Sequence, residues 1–334
     1  MATVDEAGIP RLQSWEVQVT CAAIGEISDM STHSRSRNAS VTALVFTTTM
    51  WGLSFISTKV LLRRLAPVQI AFLRHAIASI ATWIAVGIVR PPIRVSLRDL
   101  PTMLTAAIVG IPVYYYFENT GLLYLSAATA SMITASTPAM TAAIESVFYR
   151  KRIPAAGWVG ILVSAVGVAL VVQSGAVQAG TAGAAGRSHF LLGAALLLAS
   201  AFAWSLYTIF NRPNVASYGA LTTNAYQITF ATVVLYLATL RNGIPWGEVS
   251  SSPYILLNLG YLGIVCSAAG YLLYLFALRS LGPTVVSAFI NLVPVFGVAG
   301  SALILGERVT LVQLMGGAIV VVGIFAVERM QGDS

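Results

Sequence analysis

Three ionisable residues fall where charges are scarce. Lys59, Arg74 and Glu118 lie within or at the end of long apolar runs. A charge in hydrocarbon is costly, so each should pair with another or serve a ligand or proton path. At 1.5 Å per residue, Arg74 lies about 10 Å and Glu118 about 8 Å inside the same membrane boundary. A Glu118–Arg74 ion pair joined by Lys59 is therefore expected near the outer mouth. The favoured role is a structural clasp. The sharper role is coupling: Glu118 exchanges a proton, or Arg74 holds a substrate carboxylate. His75, beside Arg74, is expected to face another helix. Glu145 precedes Arg150 by five residues and should pair with the basic run Arg150-Lys151-Arg152 at the interface.

A second set could bind a ligand without charge. Trp51 and Trp204 fall near the middle of apolar runs, not in the interfacial belt where tryptophan is usual. Tyr207 lies one turn below Trp204, and Tyr271 and Tyr274 could continue an aromatic wall. Tyr114, Tyr115 and Tyr116 point in three directions, so at least one faces the bundle. Asn119, Asn224 and Gln227 should seek partners inside it. Pro138 and Pro294 each remove a backbone donor mid-helix, which bends the helix and bares carbonyls. Thr134, Thr137 and Asn291 lie nearby and could offer polar groups to a ligand. The set suits a small zwitterion with an apolar portion, although packing between helices would use the same aromatic residues.

Other chemistries lack their residues. There is no P-loop and no His-Glu-x-x-His pair, and the three histidines (His33, His75, His189) form no nucleophile–base set. An enzyme, a metal site and a cofactor are not expected. The net charge of +7 comes from basic residues scattered at helix ends rather than in a stripe, so nucleic acid is not expected as a partner. Two cysteines, Cys21 and Cys266, give no disulfide framework. A membrane sensor would need a soluble effector domain, and the stretch 329–334 is too short for one.

The elements that position these residues are membrane helices. The chain is 57% hydrophobic and 9% charged, against about 25% charged for soluble domains. Ten apolar blocks are expected to span the bilayer: Thr42–Leu62, Val68–Val89, Leu100–Leu123, Ala127–Phe148, Ala155–Gln173, Phe190–Asn211, Ala220–Leu240, Tyr254–Leu278, Thr284–Leu305 and Leu311–Val327. Strand alternation is absent, so these are helices. Residues 1–40 read as a polar, mobile cytoplasmic tail; a second reading places the native start at Met30. Residues 174–189 read as a Gly/Ala-rich linker and 329–334 as a short cytoplasmic tail. With both termini inside, twelve Lys and Arg lie inside and six outside, as the positive-inside rule prefers. The composition suggests a bacterial inner membrane.

The chain also repeats itself. A shift of 156 aligns Leu122 with Leu278, Leu125 with Leu281, Ser131 with Ser287 and Pro138 with Pro294. It likewise aligns Gly160 with Gly316 and Gly167 with Gly323, while a shift of 153 pairs Trp51 with Trp204. Five helices per half, an odd number, inserts the second half (190–328) upside down relative to the first (41–173). Inverted repeats around a midplane site are a ground plan of secondary transporters. The glycines Gly160, Gly167, Gly316, Gly317 and Gly323 read as a packing seam between the fifth and tenth helices; a homodimer interface is the less favoured reading.

These residues resemble a known family, the EamA-type members of the drug/metabolite transporter superfamily. The resemblance covers roughly residues 41–328. It rests on Trp51-Gly52, on Pro67 with Phe72-Leu73-Arg74, and on the run Tyr116 to Leu122. It continues through Tyr124 to Ser131, Pro138, Ala277-Leu278, Ser287, Pro294 and Leu305-Gly306-Glu307-Arg308. It implies an all-α membrane protein of ten helices in two inverted repeats. It also implies export or exchange of small metabolites, amino acids among them. The expected mechanism is alternating access around a site shared by spans one, three, four, six, eight and nine. Sugar-type, lipid-linked or drug-like substrates on the same fold are the alternative. One departure stands out: the family's loop glutamate is present as Glu307, but Lys151 replaces it in the first half.

Overall fold

The computed structural model describes residues 14–148, 150, 155–178 and 184–331. Among these, every regular element is helical. Helix α1 spans Ser14–Leu61, α2 Pro67–Val89 and α3 Leu100–Tyr124. Helices α4 (Ala127–Thr134) and α5 (Thr137–Phe148) follow one another across a two-residue break. Then come α6 (Ala155–Gln178), α7 (Ala184–Thr239), α8 (Pro253–Leu281), α9 (Val285–Leu305) and α10 (Leu311–Gln331). Six helical stretches are long and apolar enough to cross a membrane, and Trp158–Ser174 and Leu311–Val322 are shorter apolar stretches.

Two expectations change at the chain ends of these helices. The predicted tail is not wholly separate from the first span, because α1 begins at Ser14 and runs unbroken to Leu61. No proline lies in that stretch to stop it. The predicted linker is shorter than expected: helix continues to Gln178 and resumes at Ala184. Residues 179–183, Lys151 and Arg152 lie outside the described residues.

Helix α7 cannot be one rod. The stretch Gly186–Thr239 has 54 residues, about 80 Å if straight, against a hydrocarbon core of about 30 Å. It reverses at Gly219, whose φ of +75° suits a residue without a Cβ. Contacts establish the reversal. The arm before Gly219 packs antiparallel to α3, with Leu197 beside Gly121 and Tyr207 beside Gly110. The arm after it packs antiparallel to α2, with Tyr226 bonded to the Ile93 carbonyl, Thr232 to the His75 carbonyl and Tyr236 against Phe72.

Both singled-out prolines sit at helix breaks. Pro138 lies in the first turn of α5, just after the break at Ala135–Ser136. Pro294 lies in the first turn of Val293–Gly300, just after the 3₁₀ turn Phe289–Leu292. A first-turn proline gives up no helical bond, so the chain breaks before it rather than through it. Helix α4, the short piece before Pro138, is buried from Ala127 to Ile133 and so is sheltered on every side.

Close helix approach uses glycine at two crossings. At α1 and α9, a Cβ on Gly52 would meet the Val293 carbonyl at 2.7 Å. At α6 and α10, a Cβ on Gly167 would meet the Gly316 carbonyl at 2.6 Å, and one on Gly316 would meet the Gly167 carbonyl at 2.9 Å. The predicted seam between these helices is therefore intramolecular at Gly167 and Gly316, whereas Gly317 faces Met132. Gly167→Leu should overpack the seam and cost about 1–3 kcal/mol, lowering the thermal midpoint of the detergent-solubilised protein by several degrees. Gly87→Leu, where a Cβ meets nothing within 4 Å, should leave it unchanged. Equal midpoints for the two variants would remove the seam from the account.

Candidate functional site

A cavity of about 30 Å³ lies between the two halves of the chain. Its walls are Trp51, Ser54 and Phe55 of α1, Tyr114, Tyr115 and Glu118 of α3, Thr134, Thr137, Trp204 of the first α7 arm, and Ile290 and Val293 of α9. At that volume it holds about two water molecules, so admitting a ligand requires the walls to move apart. Thr134 and Thr137 flank the break between α4 and α5, so the proline-induced interruption places their hydroxyls at the wall.

Trp204 is the hub of the aromatic wall. Its ring contacts Trp51 at 5.0 Å, Tyr114 at 5.1 Å, Tyr207 at 5.0 Å, Tyr271 at 5.3 Å and Tyr274 at 5.1 Å. The Trp51 contact is edge-on, at an interplanar angle of 82°. Such pairs add about 0.5–1.5 kcal/mol each beyond area burial. The indole donors are fixed: Trp51 Nε1 donates to the Cys266 carbonyl at 2.8 Å, and Trp204 Nε1 to Tyr274 Oη at 3.2 Å. Both indoles therefore offer the cavity ring surface and not a free N–H. Tyr207, Tyr271 and Tyr274 stand behind Trp204 and do not line the space. Tyr116 points away and is exposed, so of the three consecutive tyrosines Tyr114 and Tyr115 are the inward ones.

The charged residues are arranged differently from the expected ion pair. Glu118 is buried, lines the cavity and accepts a hydrogen bond from the Tyr114 hydroxyl one turn earlier. Arg74, 1% exposed, donates from Nε to Ser267 Oγ at 2.9 Å and lies over the Tyr115 ring at 4.3 Å. Among the described residues no salt bridge within 4 Å joins Arg74 to Glu118, and the two terminal guanidinium nitrogens have no hydrogen-bond partner. The guanidinium stacks on Tyr115, itself a lining residue, so a cation–π contact stands where a direct ion pair was expected. His75 packs on Tyr115 at 4.8 Å and on Tyr271 at 6.2 Å, with Nδ1 at 2.7 Å from the Ala71 carbonyl, and so faces other helices as expected.

Lys59 does not join Arg74 and Glu118. Its ammonium donates to the carbonyls of Leu122 at 2.5 Å and Leu125 at 2.7 Å, at the C-terminal end of α3. Glu307, in the turn after α9, accepts from the amides of Ala127 at 3.1 Å and Ala128 at 3.0 Å, at the start of α4. A cation thus meets orphan carbonyls and an anion meets orphan amides, each on the favourable side of a helix dipole. The pair fastens the α3–α4 turn to both halves of the chain. On the other side of the cavity three hydroxyls do similar work: Thr141 donates to Ser205 at 3.0 Å and Ser287 donates to Thr141 at 3.2 Å.

The remaining polar candidates lie outside the cavity wall. Asn119 donates to the Pro67 carbonyl, Asn224 to the Ala268 carbonyl and Gln227 to Asn211 Oδ1. None of them lines the cavity. Asn291 is buried next to the lining residue Ile290, and its Oδ1 has no partner. Glu145 is buried and partnered, while most of the basic run it was expected to meet lies outside the described residues. Sequence reasoning passed over Ser54, Phe55, Ile290 and Val293 as lining residues, because small or aliphatic side chains in an apolar helix carry no distinguishing mark.

Known proteins share this architecture. A solved crystal structure superposes with a TM-score of 0.64 at 17% identity, over 89% of this chain and 98% of its own. An uncharacterized transporter of Archaeoglobus fulgidus is 29% identical over 86% of this chain and 97% of its own length. A protein of Streptantibioticus cattleyicolor named a probable terminal-alkyne amino-acid exporter is 29% identical over 86% of this chain and 93% of its own. One of Escherichia coli named a probable amino-acid metabolite efflux pump is 27% identical over 87% and 94%. Residues 38–173 and 191–329 each match one family, and the two matches correspond to the two repeats read from the sequence. The chain is a membrane transporter belonging to the EamA-like transporter family.

Proposed function

We propose that this chain is a secondary exporter of amino acids or related small metabolites, working by alternating access around the central cavity. The observation that carries the proposal is the position of that cavity. It is walled by α1, α3, α4 and α5 from the first repeat and by α7 and α9 from the second, so any rocking of one repeat on the other must open it. Ten crossings with inverted halves, both termini cytoplasmic and an inner-membrane setting complete the proposal. The names of the relatives from S. cattleyicolor and E. coli support amino-acid substrates. The aromatic wall beside Ser54, Thr134 and Thr137 suits a ligand with one polar and one apolar end. Sugar-type, lipid-linked or drug-like substrates are the second reading.

Counterflow of labelled amino acids into proteoliposomes tests the proposal. Exchange of one chemical class is expected, with Trp204→Ala reducing it at least tenfold. Absence of exchange across the amino-acid panel, with the protein intact by size exclusion, would shift the substrate to the second reading.

The fastening at the α3–α4 turn gives a separate test of alternating access. Lys59→Met combined with Glu307→Gln should free that turn. A cysteine at Ser54, in a background without Cys21 and Cys266, should then react several-fold faster with a membrane-impermeant maleimide applied from one side of the membrane. An unchanged rate from either side would mean that this contact does not close the cavity.

A further inference from the structure

We infer that Glu118 and the aromatic rings around it form a binding site for an ammonium group, which a proton and the ligand occupy in turn. The inference rests on the reading of the central cavity as the substrate site and names the part of the substrate that is recognised. Among the described residues, Glu118 is the one charged side chain that lines the cavity. Tyr114 donates to one of its oxygens, and no hydrogen bond from a described residue reaches the other. The surrounding faces are Trp51, Phe55, Tyr114, Tyr115 and Trp204, which attract a cation through their quadrupoles.

Neither nearby basic side chain bonds to the carboxylate. Lys59 is held by two backbone carbonyls. Arg74 lies over the Tyr115 ring and makes no salt bridge to Glu118 within 4 Å among the described residues. A bare carboxylate inside a membrane bundle is costly, so it must hold either a proton or a cation. An alkylammonium of the form R–NH3⁺ meets this need once the walls part: it donates to the open oxygen and presents its charge to the rings. Exchange balances as a carboxylic acid and an ammonium giving a carboxylate–ammonium pair and one proton released to water. A carboxylate on the ligand finds no cationic partner at the wall, so the site recognises amines whether or not they also carry one.

Other groups near Glu118 must be separated from it in any pH experiment. They are Tyr114 and Tyr115 on α3, Arg74 and His75 on α2, Lys59 on α1, Tyr207 on α7, and Cys266, Tyr271 and Tyr274 on α8. Removing the carboxyl alone makes that separation.

The experiment uses the intrinsic fluorescence of the purified full chain, since Trp51 and Trp204 line the site. Phenethylamine and 3-phenylpropionate, which share a ring and differ in charge, are titrated at pH 6, 7 and 8. Saturable binding of phenethylamine is expected, tightening with rising pH by up to about tenfold per unit as proton competition is relieved. 3-Phenylpropionate should bind at least tenfold more weakly. Glu118→Gln should weaken phenethylamine at least tenfold and abolish the pH dependence, and Glu118→Asp should restore part of both. Equal binding of the acid, no saturable binding of the amine, or an unchanged affinity and slope in Glu118→Gln would each overturn the inference. If Glu118→Gln does not fold, the wild-type pH slope and the amine–acid comparison decide alone. Amino-acid counterflow unaffected by Glu118→Gln would refute the ammonium site and leave the transporter reading standing. Amine binding without any counterflow would do the reverse.

Discussion

Trp204 is the contact on which the rest of the site depends. It comes from the second repeat, yet it packs on Trp51 and Tyr114 of the first as well as on Tyr207, Tyr271 and Tyr274 of its own. In lipid there is no hydrophobic drive to bring helices together, so association rests on packing and on hydrogen bonds between buried groups. A rigid indole with several ring partners and a fixed N–H supplies both. It also sets the spacing of α1, α3 and α7, and the cavity is what that spacing leaves open. The glycine crossings act in the opposite sense. They let α1 reach α9, and α6 reach α10, at distances no larger side chain would permit.

The polar groups divide by whether the backbone has already claimed them. Lys59 and Glu307 are charged, but each is spent on helix ends whose carbonyls or amides lack intrahelical partners. Asn119, Asn224 and Gln227 donate to backbone or to another amide, while their own side-chain carbonyls stay unpartnered. Glu118, Ser54, Thr134 and Thr137 remain at the wall. The two ends of the cavity are held by different chemistry. One end uses charges on helix termini and the other a cluster of neutral hydroxyls. Charged contacts respond to salt and hydration more strongly than neutral ones, so the two ends need not release under the same conditions.

Much of this was legible in the sequence, and the reasons for the rest are physical. The repeat showed through Pro138 and Pro294, because a single shift superposes them together with several glycines, and both do mark breaks. Mid-span tryptophan was equally informative, and Trp51 and Trp204 do meet. The direct ion pair did not form because depth along a helix does not fix the direction of a side chain: the Arg74 guanidinium turns onto the Tyr115 ring and Ser267, while Glu118 takes the Tyr114 hydroxyl. The roles of Lys59 and Glu307 were hidden because their partners are backbone atoms, which carry no sequence signal. The start of α4 did offer a clue. Ser126 is an N-cap followed by amides with no glutamate at the third helical position to help satisfy them, so an acceptor had to come from elsewhere. In the hydroxyl cluster, Ser287 entered only as the repeat partner of Ser131, and Thr141 and Ser205 carried no signal of their own.

A second, larger groove runs between α5, α6 and the first arm of α7, lined by Ala139, Ala165, Val168, Ala194 and Leu198 among others. It is almost wholly apolar, and none of its lining residues belongs to the central cavity. The two spaces give the account its most direct test: a cryo-electron microscopy structure of the protein in nanodiscs, saturated with an amino acid that it exchanges. The account predicts ligand density bounded by Trp51, Glu118 and Trp204. Ligand density in the groove of α5, α6 and α7, with the central cavity empty, would contradict it.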